Sequence, residues 1–204
     1  MTVKITEDNF LVRFSMVLLG VFLISLGVYL FVNSRLGSDP FTVMIEGFAN
    51  VTGLSIGGIN MVMKITILVP LYFLTRDKFG PGTVVNAVFI GLFLEMLYFF
   101  LGSINPEFLP LRILMLLGAI ISIGSGIAIY VTANLGEGAL EFLMMFCKRR
   151  SNFSLRIVKV ALDVTFGLVG ILLGGTIGVG TVIGALSIGP VTQYMFKQVN
   201  LVYK

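Results

Sequence analysis

The stretch Leu36-Gly37-Ser38-Asp39-Pro40-Phe41 returns 99 positions later as Leu135-Gly136-Glu137-Gly138-Ala139-Leu140. A second stretch, Phe79-Gly80-Pro81-Gly82-Thr83, returns 98 positions later as Ile177-Gly178-Val179-Gly180-Thr181. A nearly constant offset that extends over most of both halves is typical of an internal duplication. The sequence therefore predicts two repeats of similar structure.

The composition predicts that both repeats lie in a lipid bilayer. Of the 204 residues, 57% are hydrophobic and 12% are charged, and the mean hydropathy is +1.03. A water-soluble domain of this size does not need so large an apolar fraction. No polar stretch is long enough to fold alone. We therefore predict one membrane domain, 1–204, with repeat 1 at 11–102 and repeat 2 at 110–197.

The same composition excludes several classes of function. Histidine is absent and Cys147 is the single cysteine, so a Ser-His-Asp triad, a His-ligated metal site and an internal disulfide are excluded. The net charge of +4 is better explained by basic loop residues that set membrane topology than by nucleic-acid binding. We expect neither an enzyme nor a protein that binds a cofactor, a metal or nucleic acid.

Six apolar stretches are long enough to cross ~30 Å of hydrocarbon at ~1.5 Å per residue. These stretches are 14–32, 56–75, 84–101, 113–133, 155–174 and 179–196. Two shorter stretches, 40–53 and 139–150, have apolar residues at helical spacing, and Asp39-Pro40 supplies the first with an N-cap and a first-turn proline. We predict that both are short amphipathic helices that lie in the interface or re-enter the membrane.

The distribution of Lys and Arg orients these spans. Six spans place ten basic residues on one side and two on the other, so the positive-inside rule puts both termini in the cytoplasm. Eight spans, with the short helices also crossing, would give nine against three, but the 14 residues from Pro40 to Gly53 are too few to cross unless the bilayer thins. The predicted fold class is therefore an all-α polytopic membrane protein with six transmembrane helices in two inverted three-helix repeats, a plan typical of secondary transporters.

The repeated motifs resemble those of a known family. A Leu-Gly-x-x-Pro segment after the first helix, a Gly-x-Gly-Thr before the third, weaker copies of both and a closing Gly189-Pro190 are similar to the YczE/YyaS/YitT family of bacterial inner-membrane proteins. The resemblance covers roughly residues 14–197. It implies a multi-pass protein of the inner (plasma) membrane, but no particular reaction. The second copy has Gly138-Ala139 where the first has Asp39-Pro40, which argues against equivalent roles for the two short helices.

Polar side chains inside the spans are candidates for function, because a charge there costs ~2.5–3.5 kcal/mol on insertion scales. Lys64 and Asp163 are related by the 99-residue offset, and inverted repeats would bring both near the midplane. They form either a buried ion pair that joins the halves or a substrate or proton-coupling site, unless Lys64 snorkels to the interface. Glu95 and Gln193 are a second aligned pair. Glu95 either carries a proton or accepts a hydrogen bond from a neighbouring helix.

The repeated glycines and the acidic residues of the short helices each have two interpretations. The stretches 80–82 and 178–180 open helix N-termini that bind an anion, or they form tight turns and close packing points between helices. The acidic residues lie on solvated helix faces, or they line a path for cations if the helices re-enter. These acidic residues are Asp39, Glu46, Glu137 and Glu141.

The leading hypothesis is a small transporter, with an unidentified small-molecule substrate, that rocks one repeat against the other. Lys64, Glu95 and Asp163 would form its central polar cluster. One alternative is a non-transporting accessory protein that stabilises or regulates a membrane complex. Another is the substrate-capture subunit of a multi-component importer. Besides the bilayer, a homodimer or a membrane partner is compatible with the many small residues on the helices.

Overall fold

A computed structural model describes residues 9–75 and 79–202. In these residues the chain forms eight α-helices and no strand. The helices are α1 (Phe10–Ser34), α2 (Pro40–Thr52), α3 (Ile56–Thr75), α4 (Pro81–Leu101), α5 (Leu109–Thr132), α6 (Ala139–Arg150), α7 (Leu155–Leu172) and α8 (Val179–Val202). Four of the basic residues used above to orient the spans, Lys4, Arg76, Lys78 and Lys204, lie outside the described residues.

The prediction of a polytopic all-α membrane protein is confirmed. Within the described residues, five helices are long and apolar enough to cross a membrane: α1, α3, α4, α5 and α8. The sixth predicted span, α7, is not one of them, because Arg156, Lys159 and Asp163 all fall within its 18 residues. The two short predicted helices are present as α2 and α6.

The core of the protein is the crossing of α1 with α5. A Cβ atom on Gly20 would lie 2.7 Å from the carbonyl oxygen of Gly126, and one on Gly126 would lie 2.6 Å from that of Gly20. Only glycine allows two backbones to approach so closely. Around this pair, α4 packs on α1 and α8 packs on α5.

Two arginines link the ends of α1 and α5 by hydrogen bonds. The Arg13 guanidinium donates hydrogen bonds to the carbonyl oxygens of Ala133 and Asn134, with Nε 2.8 Å from the first. The Arg112 guanidinium donates in the same way to the carbonyl oxygens of Ser34 and Arg35 at the end of α1, with Nε 2.9 Å from the first. Each arginine therefore caps the C-terminal end of the partner helix.

The short helix α2 does not lie on the surface. It packs against α7 and α3, and its first eight residues, 40–47, are all buried. As predicted, Pro40 occupies the first turn and the Asp39 carboxylate caps the helix by accepting a hydrogen bond from the Thr42 N–H at 3.2 Å. Of the two interpretations of Glu46, the solvated helix face is wrong, because the residue is 7% exposed.

Candidate functional site

The two repeated stretches contact each other across the halves of the molecule. The Gly180 N–H donates to the Leu36 carbonyl oxygen at 2.7 Å, and the Gly82 N–H donates to the Leu135 carbonyl oxygen at 2.9 Å. At the start of both α8 and α4, one backbone N–H group is therefore hydrogen-bonded to a carbonyl oxygen of the other half. This arrangement favours close packing over anion binding as the role of these glycines.

Gly37 and Gly136 belong to the same two contacts between the halves. Both have positive φ values, 95° and 136°, which glycine adopts without the penalty that a Cβ atom brings. A Cβ on Gly37 would lie 2.6 Å from Thr181 Oγ1, and one on Gly136 would lie 2.6 Å from Thr83 Oγ1. The motif residues therefore hold the two halves together by backbone contact.

A cavity of about 410 Å³ lies between the halves. All eight helices contribute to its wall, including the first turns of α2 and α6, and most of the wall is apolar. The charged side chains on the wall are Asp39, Lys64, Glu141, Lys159 and Asp163. Such a cavity, apolar with a few polar groups that converge on it, has the general character of a small-molecule binding site.

Lys64 is the most buried of these charged groups. Its side chain is 5% exposed, and its Nζ donates to Asn86 Oδ1 at 3.2 Å. Asn60, one turn earlier on α3, also lines the cavity and is 2% exposed. Its Oδ1 atom is buried and has no hydrogen-bond partner among the described residues. Burying a polar group without a hydrogen bond costs free energy. This face of α3 therefore lacks a hydrogen-bond donor for Asn60 Oδ1.

Asp163 lines the same cavity but does not pair with Lys64. Its Oδ2 accepts a hydrogen bond from Lys159 Nζ at 2.7 Å, one helical turn away on α7. Of the interpretations of this pair, the direct ion pair between Lys64 and Asp163 is therefore wrong, because each side chain has another partner. The structure nevertheless brings both charges to one cavity.

The second aligned pair, Glu95 and Gln193, is not brought together at the cavity. Glu95 Oε1 accepts a hydrogen bond from the Gly58 N–H at 3.1 Å, near the start of α3. This is the interhelical hydrogen bond that was one of the two interpretations of Glu95. Gln193 is exposed and lines the cavity, as does Gly189, whereas Pro190 lies within α8 outside the cavity wall formed by the described residues.

Sequence reasoning did not identify the contacts of Glu46. Its Oε1 accepts from Ser38 Oγ at 2.5 Å and its Oε2 from the Thr176 N–H at 3.1 Å. The carboxyl group therefore joins α2 to the loop before α8. Burial raises the pKa of Glu46, and the hydrogen bonds from Ser38 and Thr176 lower it by less.

Sequence reasoning also passed over Asn60 and Asn86. Both are buried in apolar helices beside Lys64. An asparagine inside a span is a weak sequence signal, because it carries no charge and changes mean hydropathy little.

Fold and cavity together define a polytopic all-α membrane protein with a charged central cavity. Residues 11–197 match the model of a family of unknown function, DUF6198. The chain belongs to this family.

Three relatives extend over most of the chain. A protein described as uncharacterised, from Haemophilus influenzae, is 34% identical over 183 residues, which are 90% of this chain and 83% of that protein. The uncharacterised membrane protein YczE of Bacillus subtilis is 25% identical, over 94% of this chain and 89% of its own. The uncharacterised protein YyaS of Bacillus subtilis is 22% identical, over 89% and 90%. These matches confirm the predicted resemblance, and no solved structure matches.

Proposed function

We propose that this protein is a small-solute transporter whose two inverted repeats open the central cavity alternately to the two sides of the membrane. In this proposal α1, α3 and α4 form the spans of repeat 1, and α5, α7 and α8 form those of repeat 2. The observation that carries the proposal is a difference between the halves: α3 and α4 are packed tightly together, whereas their counterparts α7 and α8 are not.

Paired contacts support the relation between the repeats. Arg13 and Arg112, which are 99 positions apart, make the same hydrogen bonds to opposite halves. Among the described residues, two that are not glycine have a positive φ: Arg35, at 53°, and Asn134, at 49°. They are also 99 positions apart. Packing of α2 on α7 is matched by packing of α6 on α3.

In this proposal the contact between α3 and α4 is the closed gate at one end of the cavity. A Cβ atom on Gly57 would lie 2.5 Å from the Gly91 carbonyl oxygen, and one on Gly91 would lie 2.5 Å from the Gly57 carbonyl oxygen. The hydrogen bond from the Gly58 N–H to Glu95 lies beside this crossing. We therefore assign Glu95 to a closed gate and not to the substrate site.

The corresponding region of repeat 2 is open. By the offset between the repeats, Arg156 corresponds to Gly57 and Gly189 corresponds to Gly91. A Cβ atom on Gly189 would have no neighbour within 4 Å. Lys159 and Gln193, both exposed, lie on the cavity wall at this end of α7 and α8. With both termini in the cytoplasm, this end faces inward, and the conformation is an inward-open one.

Cysteine accessibility tests the proposal without knowledge of the substrate. On a Cys147→Ser background, Ala185→Cys places a probe on the cavity wall, at an exposed position of α8. A membrane-impermeant maleimide should label this probe rapidly in inverted vesicles and slowly, but measurably, in intact cells. Asn105→Cys and Asn152→Cys, in the exposed loops after α4 and α6, serve as controls for the outer and inner faces. Labelling from a single side under every condition would contradict alternating access.

A further inference from the structure

The face of α3 that borders the cavity offers one donor group and one acceptor group. An ammonium group has three N–H donors, and Lys64 directs one of them to Asn86. Asn60 Oδ1, four residues earlier and therefore on the same helical face, has no donor among the described residues. Because Asn60 Oδ1 has almost no accessible surface, the side chain must turn toward the cavity before it can accept a hydrogen bond from a ligand. A ligand that completes this face then presents an acceptor to Lys64 and a donor to Asn60.

Glu141 provides an acidic group on the same cavity. It lies in the first turn of α6 and is partly buried. Glu141 and Asp39 are acidic groups that line the cavity together with Lys64. The Asp39 carboxylate is engaged in capping α2. By contrast, the Glu141 carboxylate accepts no hydrogen bond and forms no ion pair among the described residues.

The charges and the apolar wall restrict the ligand further. Lys159 and Asp163 neutralise each other through their contact at 2.7 Å. A ligand with only a negative charge would pair with Lys64 but leave Glu141 without a partner, and one with only a positive charge would pair with Glu141 but leave Lys64 without an anionic partner. Most of the remaining wall is apolar, with Ile90, Ile123, Leu140, Phe166 and Ile188 among the residues that form it.

We infer that the cavity binds a small zwitterion, an α-amino acid with an apolar side chain, whose carboxylate contacts Lys64 and whose ammonium group contacts Asn60 and Glu141. The inference deepens the proposed function, because it takes the cavity as the transporter's substrate site. The cavity volume of about 410 Å³ lies within the range of roughly 300–1,000 Å³ that small-molecule sites have. It therefore accommodates one amino acid with a large side chain.

Binding of L-leucine to the purified full-length protein tests the inference. Isothermal titration calorimetry in detergent should detect L-leucine, L-methionine or L-phenylalanine. Two analogues of leucine each lack one charged group: 4-methylpentanoate has no ammonium group and 3-methylbutylamine has no carboxylate. Each should bind about 10–100-fold more weakly than leucine, as expected when one charge-assisted hydrogen bond is lost.

Variants assign each charge of the ligand to its side chain. Lys64→Met should lose the preference for leucine over 3-methylbutylamine, and Glu141→Gln should lose the preference for leucine over 4-methylpentanoate. Asn60→Ala, which changes no charge, provides a second probe of the Lys64 face if Lys64→Met does not fold. Glu137→Gln is the matched control, since Glu137 is exposed and lies outside the cavity wall. It should bind leucine as the unmodified protein does.

Two results would overturn the inference: failure of all three amino acids to bind the folded protein, or equal binding of leucine and both analogues. The accessibility experiment on position 185 needs no ligand. A protein that alternates without binding leucine would therefore retain the proposed function and lose this inference. A protein that binds leucine but labels from one side only would do the reverse.

Discussion

Gly91→Ala perturbs the proposed closed gate at its tightest point. The added Cβ atom would lie 2.5 Å from the Gly57 carbonyl oxygen and 3.1 Å from Met61 Cβ. Favourable contacts between heavy atoms lie near 3.5 Å, so α3 and α4 must separate by about 1 Å. Overpacking of this kind typically costs about 1–3 kcal/mol. The cost disappears in a conformation in which the two helices have parted.

The expected consequence is a shift of the conformational equilibrium. If the strain is relieved entirely in the outward-open state, that state should gain about 5–150-fold in population relative to the inward-open state. Maleimide labelling of Ala185→Cys from the outside of intact cells should accelerate by a similar factor. Labelling in inverted vesicles should slow only slightly, unless the outward state becomes the major one.

Gly189→Ala is the matched control, because it makes the same change at the aligned position of α8, where the added atom has no neighbour within 4 Å. Because the added atom puts no strain on the conformation described here, this variant should not accelerate labelling from the outside. Equal outside labelling of the Gly91→Ala variant and the parent, with both folded, would refute the assignment of the α3–α4 crossing as a gate. An equal increase in the Gly189→Ala variant would refute it as well.

Three further predictions concern stability in detergent. Gly80→Ala and Gly178→Ala should each lower the melting temperature strongly, because the new Cβ atom would overlap a backbone carbonyl oxygen of the other half, whereas Gly118→Ala, whose nearest neighbour would be 3.4 Å away, should not. The effects of Lys64→Ala and Asp163→Ala on the free energy of unfolding should add to within about 0.5 kcal/mol in the double variant, since each residue has a different partner. A coupling energy of several kcal/mol would instead support a direct ion pair between the halves. Glu46 has a pKa raised by burial above the ordinary 4.5, so the folded state holds its proton more tightly than the unfolded state, and stability should fall as pH rises above that value. Glu46→Gln should remove this part of the pH dependence of the melting temperature, and an unchanged profile would contradict the assignment.

The helices themselves were predictable from local physical chemistry. Apolar length located the long helices, and the Asp39-Pro40 cap located the start of α2, as observed. The burial of α2 was not predictable in the same way. From the sequence alone Glu46 looks like a solvated residue. Its burial depends on hydrogen bonds from Ser38 Oγ and from the N–H of Thr176, which lies 130 residues away.

The contacts between the halves were not predictable from the repeat alone. The offset shows which residues of the two repeats correspond to each other. It does not show which residues meet, because at this interface a residue contacts the other half at a position that is not its own counterpart. Gly82 therefore contacts Leu135 and not Gly180. Asp163 pairs with Lys159 on its own helix and not with Lys64. The four-residue spacing of Lys159 and Asp163 on one helix was the available signal.

The most direct test of alternating access measures both ends of the cavity together. On the Cys147→Ser background, spin labels at Val62 and Met96 report the separation of α3 from α4, and labels at the counterpart positions Ala161 and Tyr194 report that of α7 from α8. All four positions are exposed. Pulsed electron-electron double resonance on each pair, with and without Gly91→Ala, should show the first distance lengthening while the second shortens. Two distances that stay fixed, or that change in the same direction, would contradict alternating access by inverted repeats.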